Sequence, residues 1–164
     1  MEDMIVEDVT DQLFTDATKC KLIYLSGPMT KPGFELSQKI AIEVSRINGL
    51  LVSGGWTVVN PWGSVLCEDS WDLPHDVWVG SDLEMLEVFA LAKAAGLADE
   101  IAILMLSFDS DGKIDYHSRY VWQDSDGACT EYEFSQELGC PLTPYYWHED
   151  ATSFALISLN GGDC

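Results

Sequence analysis

Basic residues are scarce in this chain. Eight lysines and arginines stand against 28 aspartates and glutamates among 164 residues, a formal net charge of −20. A surface this negative repels phosphate at long range, which argues against a nucleic-acid backbone or an anionic membrane as partner. Any phosphorylated ligand would need local backbone N–H groups or one of the few cations. The same acidity permits a surface that imitates nucleic acid, and a halophilic origin would account for it without any partner.

Metal and disulfide patterns are also missing. The five cysteines, Cys20, Cys67, Cys129, Cys140 and Cys164, have an odd count and no C-x-x-C spacing, so neither a zinc ribbon nor a disulfide framework is implied. His75, His117 and His148 are scattered and form no nucleophile–base pair or metal cluster. Asp109-Ser110-Asp111-Gly112 starts like a calcium loop but lacks the remaining ligands and the closing glutamate. No metal and no organic cofactor is expected. No apolar run reaches membrane-spanning length, and Met1-Glu2-Asp3-Met4 lacks the basic start and apolar core of a signal peptide. The expectation is a soluble, cytoplasmic protein with no membrane partner. Internal repeats and low-complexity segments are absent.

What is present is a 47% hydrophobic chain, long enough for one ordinary domain. Residues 1–20 form an acidic extension in which Ile5, Val6, Val9, Leu13 and Phe14 fall at helical spacing, a helix that docks or a segment that frays. Residues 21–159 are the domain, and 160–164 a loose tail. Leu22-Ile23-Tyr24-Leu25 reads as a buried strand running into the tight loop Ser26-Gly27-Pro28. Ile40, Ala41, Val44, Ile47 and Leu51 predict a helix over 34–53, ended by Gly54-Gly55. Trp56–Val59 is a second strand, halted by Asn60-Pro61, and 62–75 is an irregular, tryptophan-containing loop. A helix over 76–95 should bury Leu83, Leu86, Phe89 or Ala90, and Ala94, and expose Glu84 and Glu87. Ile101–Leu106 is an unbroken apolar run, typical of a central parallel strand. Residues 107–125 are a polar excursion before a helix over 127–138. Leu142–Tyr146 is a fourth strand that Pro144 places at a sheet edge, and Phe154–Leu159 is a fifth. This alternation predicts a three-layer α/β sandwich around a mostly parallel sheet of four to five strands, with ligands beyond the C-terminal strand ends.

One stretch near those ends is Gly127-Ala128-Cys129-Thr130-Glu131, preceded by Asp124-Ser125-Asp126. If it opens a helix, free backbone N–H groups and the Glu131 carboxylate face one small space, fit for a sugar or phosphate beside a nucleophile. Taken locally, Ser125 or Asp126 equally well caps a helix, and Glu131 compensates its dipole.

Ile23-Tyr24-Leu25-Ser26-Gly27-Pro28-Met29, Val59-Asn60-Pro61, Ser81-Asp82-Leu83, Ala98-Asp99-Glu100-Ile101, Gly127–Glu131 and Leu138-Gly139-Cys140-Pro141 occur in that order. Together they resemble the nucleoside 2-deoxyribosyltransferase superfamily over residues 21–146, and most closely its small phage-encoded members. The resemblance implies a flavodoxin-like fold and cleavage of the N-glycosidic bond of a (deoxy)nucleoside or its 5′-monophosphate, by hydrolysis or transfer. It implies Glu131 as carboxylate nucleophile, Tyr24 as the residue orienting it, and Asp82 as contact or proton donor to the departing base. Substrate would touch Ser26, Gly27, Pro28, Met29, Asn60, Ser125, Gly127 and Ala128, with Ser26, Gly27 and Ser125 where relatives hold phosphate. A homodimer or larger homo-oligomer is implied too. The extension at 1–20 and the insertion at 107–125, a lid or subunit contact, depart from the family. Cations near the first loop reduce to Lys31, with Lys113 and Arg119 in the insertion.

The chemistry itself asks for two unlike carboxyls. Positive charge grows on the sugar as the base leaves, so Glu131 should stay ionised while Asp82 is protonated or hydrogen-bonded to the base. Two other classes remain open: a non-catalytic protein that sequesters a nucleotide, and an acidic interaction protein such as a viral mimic of nucleic acid.

Overall fold

The computed structural model describes residues 20–28, 33–62, 75–115 and 121–159, with the side chains of Phe34, His75 and Asp76 excepted. The expected N-terminal helix, the loop over 63–74, Met29, Lys31, His117, Arg119, the His75 side chain and the tail from 160 lie outside the described residues.

The elements run β1 (Lys21–Ser26), α1 (Phe34–Ser53), β2 (Trp56–Val59), α2 (His75–Ala94), β3 (Glu100–Met105), a 3-10 turn (Trp122–Asp124), α3 (Asp126–Glu137), β4 (Thr143–Glu149) and β5 (Phe154–Ser158). The sheet order is β2-β1-β3-β4-β5. Four strands are parallel, and β5 lies antiparallel to β4. This is the flavodoxin-like order, whose ligand crevice opens where the chain reverses its direction of travel, between β1 and β3.

Strand alternation divides the interior into two apolar layers. Ile23 and Leu25 of β1, with Ala102 and Leu104 of β3, pack against Ile40, Ala41, Val44, Ile47 and Leu51 of α1. Tyr24, Ile101, Ile103 and Met105 face the opposite way, onto Leu86 and Phe89 of α2 and Ala128 and Tyr132 of α3. The helical spacing of the α1 residues is therefore a buried stripe, and the chain leaves it through Gly54 and Gly55, the latter at φ 92°.

Two expectations need correction. Ala94 is exposed. Because α2 also turns Val77, Val88 and Leu91 outward, more than half exposed, it is apolar nearly all round and its periodicity did not mark the inner face. Pro144 does not mark a sheet edge, since β4 lies between β3 and β5. Pro144 falls at the second residue of the strand, and its carbonyl accepts from the Leu159 N–H at 2.9 Å. The hairpin to β5 is too short for a crossover and so returns antiparallel; Asp150 Oδ1 closes it by accepting from the N–H groups of Thr152 and Ser153.

The part of the insertion at 107–115 lies on the α1 side of the sheet. Phe108 and Ile114 pair as a β-bridge and pack with the α1 layer. Gly112, at φ 79°, passes so close to α1 that a Cβ there would stand 2.9 Å from Lys39 Cβ. Among the described residues no helix is long and apolar enough to cross a membrane.

Candidate functional site

Tyr24 and Ser26 are two residues apart on β1, so the pleat turns both toward α2 and α3. Ser26 is the last residue of the strand, at the mouth of the crevice. The next residue, Gly27, has no room for a side chain: a Cβ would lie 2.6 Å from the Leu106 carbonyl oxygen and 3.2 Å from the Trp62 ring. The tight loop read from Ser26-Gly27-Pro28 thus has a steric cause, the close passage of β1's end between β3 and the turn after β2.

Helix α3 is fixed from both ends. The Trp122 N–H donates to Ser107 Oγ at 3.0 Å, and the Trp122 ring leans on Tyr132 with centroids 5.2 Å apart. Ser125 is the N-cap, its Oγ accepting from the Ala128 N–H at 3.3 Å. At the far end Gln136 Nε2 donates to the Leu142 carbonyl at 2.9 Å. Since the helix starts at Asp126, Glu131 sits in its second turn, not at the free N–H groups of the first. The Glu131 carboxylate is therefore not held by the helix start, contrary to the expectation that both face one small space.

Glu131 points instead into the layer between α3 and the sheet, 5% exposed, where Tyr24 is 0% and Ser26 1% exposed. Asp82 reaches the same place from α2 and interacts with Tyr24 and Glu131. Four polar side chains from three elements therefore share one buried space. Among the described residues their mutual satisfaction is incomplete: Tyr24 Oη, Ser26 Oγ and Glu131 Oε2 are all buried without a completed hydrogen bond. The hydroxyls of Tyr24 and Ser26 are near enough to favour the charged form of Glu131, yet the contacts fall short of ordinary hydrogen-bond geometry.

Burial dominates the electrostatics. Desolvation, reinforced by the Asp82 charge and opposed by the Tyr24 and Ser26 hydroxyls, pushes the Glu131 carboxyl up to about 8. Desolvation, opposed by Tyr24, pushes Asp82 up to about 6. Desolvation and then the two carboxylates raise the Tyr24 phenol far above its usual range. Burial thus raises both carboxyls, and the pair shares its protons into the neutral range.

The remaining candidates have structural engagements. Asn60 Oδ1 accepts from the Trp62 N–H at 3.0 Å and closes the turn after β2. Ala128 is buried in the core, Gly127 is half-buried in the first turn of α3, and Pro28 is buried beyond β1. Lys113 lies exposed on the α1 side. Two features were missed in the sequence. Trp62, fully buried against Gly27, keeps an indole N–H without partner, and Ser26 faces Glu131. The second was legible from the i, i+2 relation to Tyr24.

Among the described residues no group of three or more His, Cys, Asp or Glu side chains could hold a metal ion. Two carboxyls, a phenol and a hydroxyl in a dry space can move a proton and meet a growing positive charge. No protein-family model, curated protein or solved structure matches the chain.

Proposed function

We propose that this protein cleaves the N-glycosidic bond of a (deoxy)nucleoside or nucleoside 5′-monophosphate, with Glu131 as nucleophile. The observation that carries the reading is the meeting of Tyr24, Asp82 and Glu131 from β1, α2 and α3 in one buried space beside the β1–β3 crevice. A carboxylate buried without a cation among its interacting groups is costly at rest. It becomes favourable when positive charge develops on a sugar above it, so the stabilisation is realised in the transition state.

The reaction balances with these groups alone. Glu131 attacks the anomeric carbon, the C1′–N bond breaks, its electron pair stays on the base, and the proton of Asp82 goes to that base. Water or a second base then attacks C1′, frees Glu131, and returns a proton to Asp82. Between about pH 6 and 8 the pair holds one proton, and the reactive arrangement places it on Asp82. Tyr24, in reach of both carboxyls, orients Glu131.

The test is incubation with a panel of deoxynucleosides, ribonucleosides and their 5′-monophosphates. Wild type should release free base, and Glu131→Gln should not. Base release that survives Glu131→Gln removes the nucleophile from its role. A second reading has its own support: a Glu131 that is protonated at neutral pH is a hydrogen-bond donor, suited to holding a ligand without attacking it. Tight nucleotide binding without turnover, little changed in Glu131→Ala, would assign the pocket to sequestration.

A further inference from the structure

Two hydroxyls and two carboxyls share the pocket, and their protons can be counted. A phenol or a serine hydroxyl has one proton to give. Tyr24 favours the charged form of both Asp82 and Glu131, but cannot donate to both at once. Ser26, two residues along the same pleat face from Tyr24, acts on the Glu131 carboxyl. Its hydroxyl is 1% exposed and otherwise without a partner. Among the described residues the groups that act on the Glu131 carboxyl are Asp82, Tyr24 and Ser26, and the layer around them on this sheet face is apolar, with Ile103 and Met105 of β3 and Leu86 of α2.

We propose that Ser26 is the positioning residue of this site: its hydroxyl is the donor that stays with the Glu131 carboxylate while the single phenol proton of Tyr24 is shared with Asp82. With Glu131 as the nucleophile proposed above, the need for a fixed donor follows from the steps. Before attack, Glu131 is ionised and Asp82 holds the proton destined for the base, so both hydroxyls point at Glu131. Once the sugar is bonded to Glu131 and the base has left with its proton, Asp82 carries the negative charge. The Tyr24 proton turns to it. When water or a second base releases the sugar, Asp82 is reprotonated and the phenol turns back. Throughout, the Glu131 side chain must hold its aim at C1′, and Ser26 is the partner that does not change sides.

The experiment is a titration of the ligand-free protein carrying carboxyl-13C glutamate, in wild type, Ser26→Ala and Ser26→Thr, with Glu131 assigned through Glu131→Gln. In Ser26→Ala the Glu131 resonance should titrate at higher pH, by roughly one unit, and in Ser26→Thr it should return toward wild type. Nucleoside turnover in Ser26→Ala should fall about 10- to 100-fold in kcat, with KM within a few-fold and the acidic limb of the pH profile moved upward with the NMR titration. Thermal stability should hold, because the lost hydroxyl has no completed bond. An unchanged Glu131 titration in Ser26→Ala overturns the inference whatever the protein does with nucleosides. A raised titration restored by threonine, in a protein that releases no base, upholds the Ser26–Glu131 pairing and removes the glycosidic reading alone.

Discussion

Two buried glutamates lie on opposite faces of the sheet and are treated in opposite ways. Glu43, on the α1 face, is 3% exposed and Glu131 is 5% exposed. Glu43 is fully partnered: Arg46 Nε donates to its Oε1 at 2.6 Å and the Ile114 N–H to its Oε2 at 3.1 Å. Arg46 continues to both oxygens of Glu149 at 2.6 and 2.8 Å, and Trp147 Nε1 adds a third donor to that carboxylate. Among the described residues Glu131 has no cation among its interacting groups, a second carboxyl as neighbour, and two hydroxyls whose bonds are incomplete. At equal burial the two acids differ in how far the described side chains satisfy them. The α1 face ties the insertion at 107–115 to the body; the α2/α3 face keeps polarity unspent.

The largest expected effect breaks this contrast at Glu131. Glu131→Gln should lower base release by about 10³-fold or more, whereas Glu43→Gln should leave the rate per folded molecule unchanged. Their stabilities should move in opposite directions. Glu43→Gln weakens bonds to a cation and to a backbone N–H, and should cost about 1–3 kcal/mol. Glu131→Gln removes a carboxyl that folding raises from 4.5 to about 8. Above pH 8 that ionised group is unfavourable only in the folded state, so its removal should stabilise by an amount on the order of a few kcal/mol. Denaturant midpoints at pH 8 check both signs.

The same carboxyl sets a pH dependence. Between pH 4.5 and 8 the folded state retains a proton that the unfolded chain has released, so stability falls as pH rises through this window. Asp82, raised from 3.8 to about 6, adds the same sign at lower pH. General repulsion among 28 acidic residues acts in this direction too. The informative quantity is therefore the difference between wild type and Glu131→Gln, which should widen from pH 5 to pH 8 in a series of thermal melts. A difference that stays flat means Glu131 is better satisfied than its surroundings suggest.

Local order was legible before any coordinates; depth was not. The stripe Ile40, Ala41, Val44, Ile47 and Leu51, with Gly54 beyond it, marks α1 because a single face is apolar. In α2 the apolar residues go round the helix, so Ala94 could be taken as inward-facing. The antiparallel return of β5 follows from a short hairpin, which element alternation hides. The local motif does not show how deep Glu131 lies: with Ser125 as the cap and Asp126 as the first helical residue, Glu131 is the sixth residue of the helix, past the free N–H groups of the first turn. The meeting of Tyr24, Asp82 and Glu131 was expected from resemblance alone. No spacing joins positions 24, 82 and 131; only packing of α2 and α3 on one sheet face does. Strand alternation, continued to the last residue of β1, places Ser26 on the same face as Tyr24 and so beside Glu131.

The smallest expected effect lies at the outer end of the α1-face network and asks whether that face depends on its ion pairs at all. Glu149 is bidentate to Arg46, but the two side chains are 26% and 44% exposed, so solvent screens the attraction. Arg46 and Trp147 favour the charged form of Glu149 and hold its carboxyl below the usual range; the contribution is therefore present at neutral pH and fades as pH falls through the acid region. Glu149→Ala should cost only about 1 kcal/mol at pH 7, less in high salt, with base release unaltered. The modest size follows from what remains: Glu43 keeps Arg46 Nε and the Ile114 N–H, and the stacked Trp147 and Phe154 rings stay 4.6 Å apart. A loss of several kcal/mol would mean that the Arg46 bridge carries Glu43 as well, so that the α1 face depends on its ion pairs and not on its packing alone.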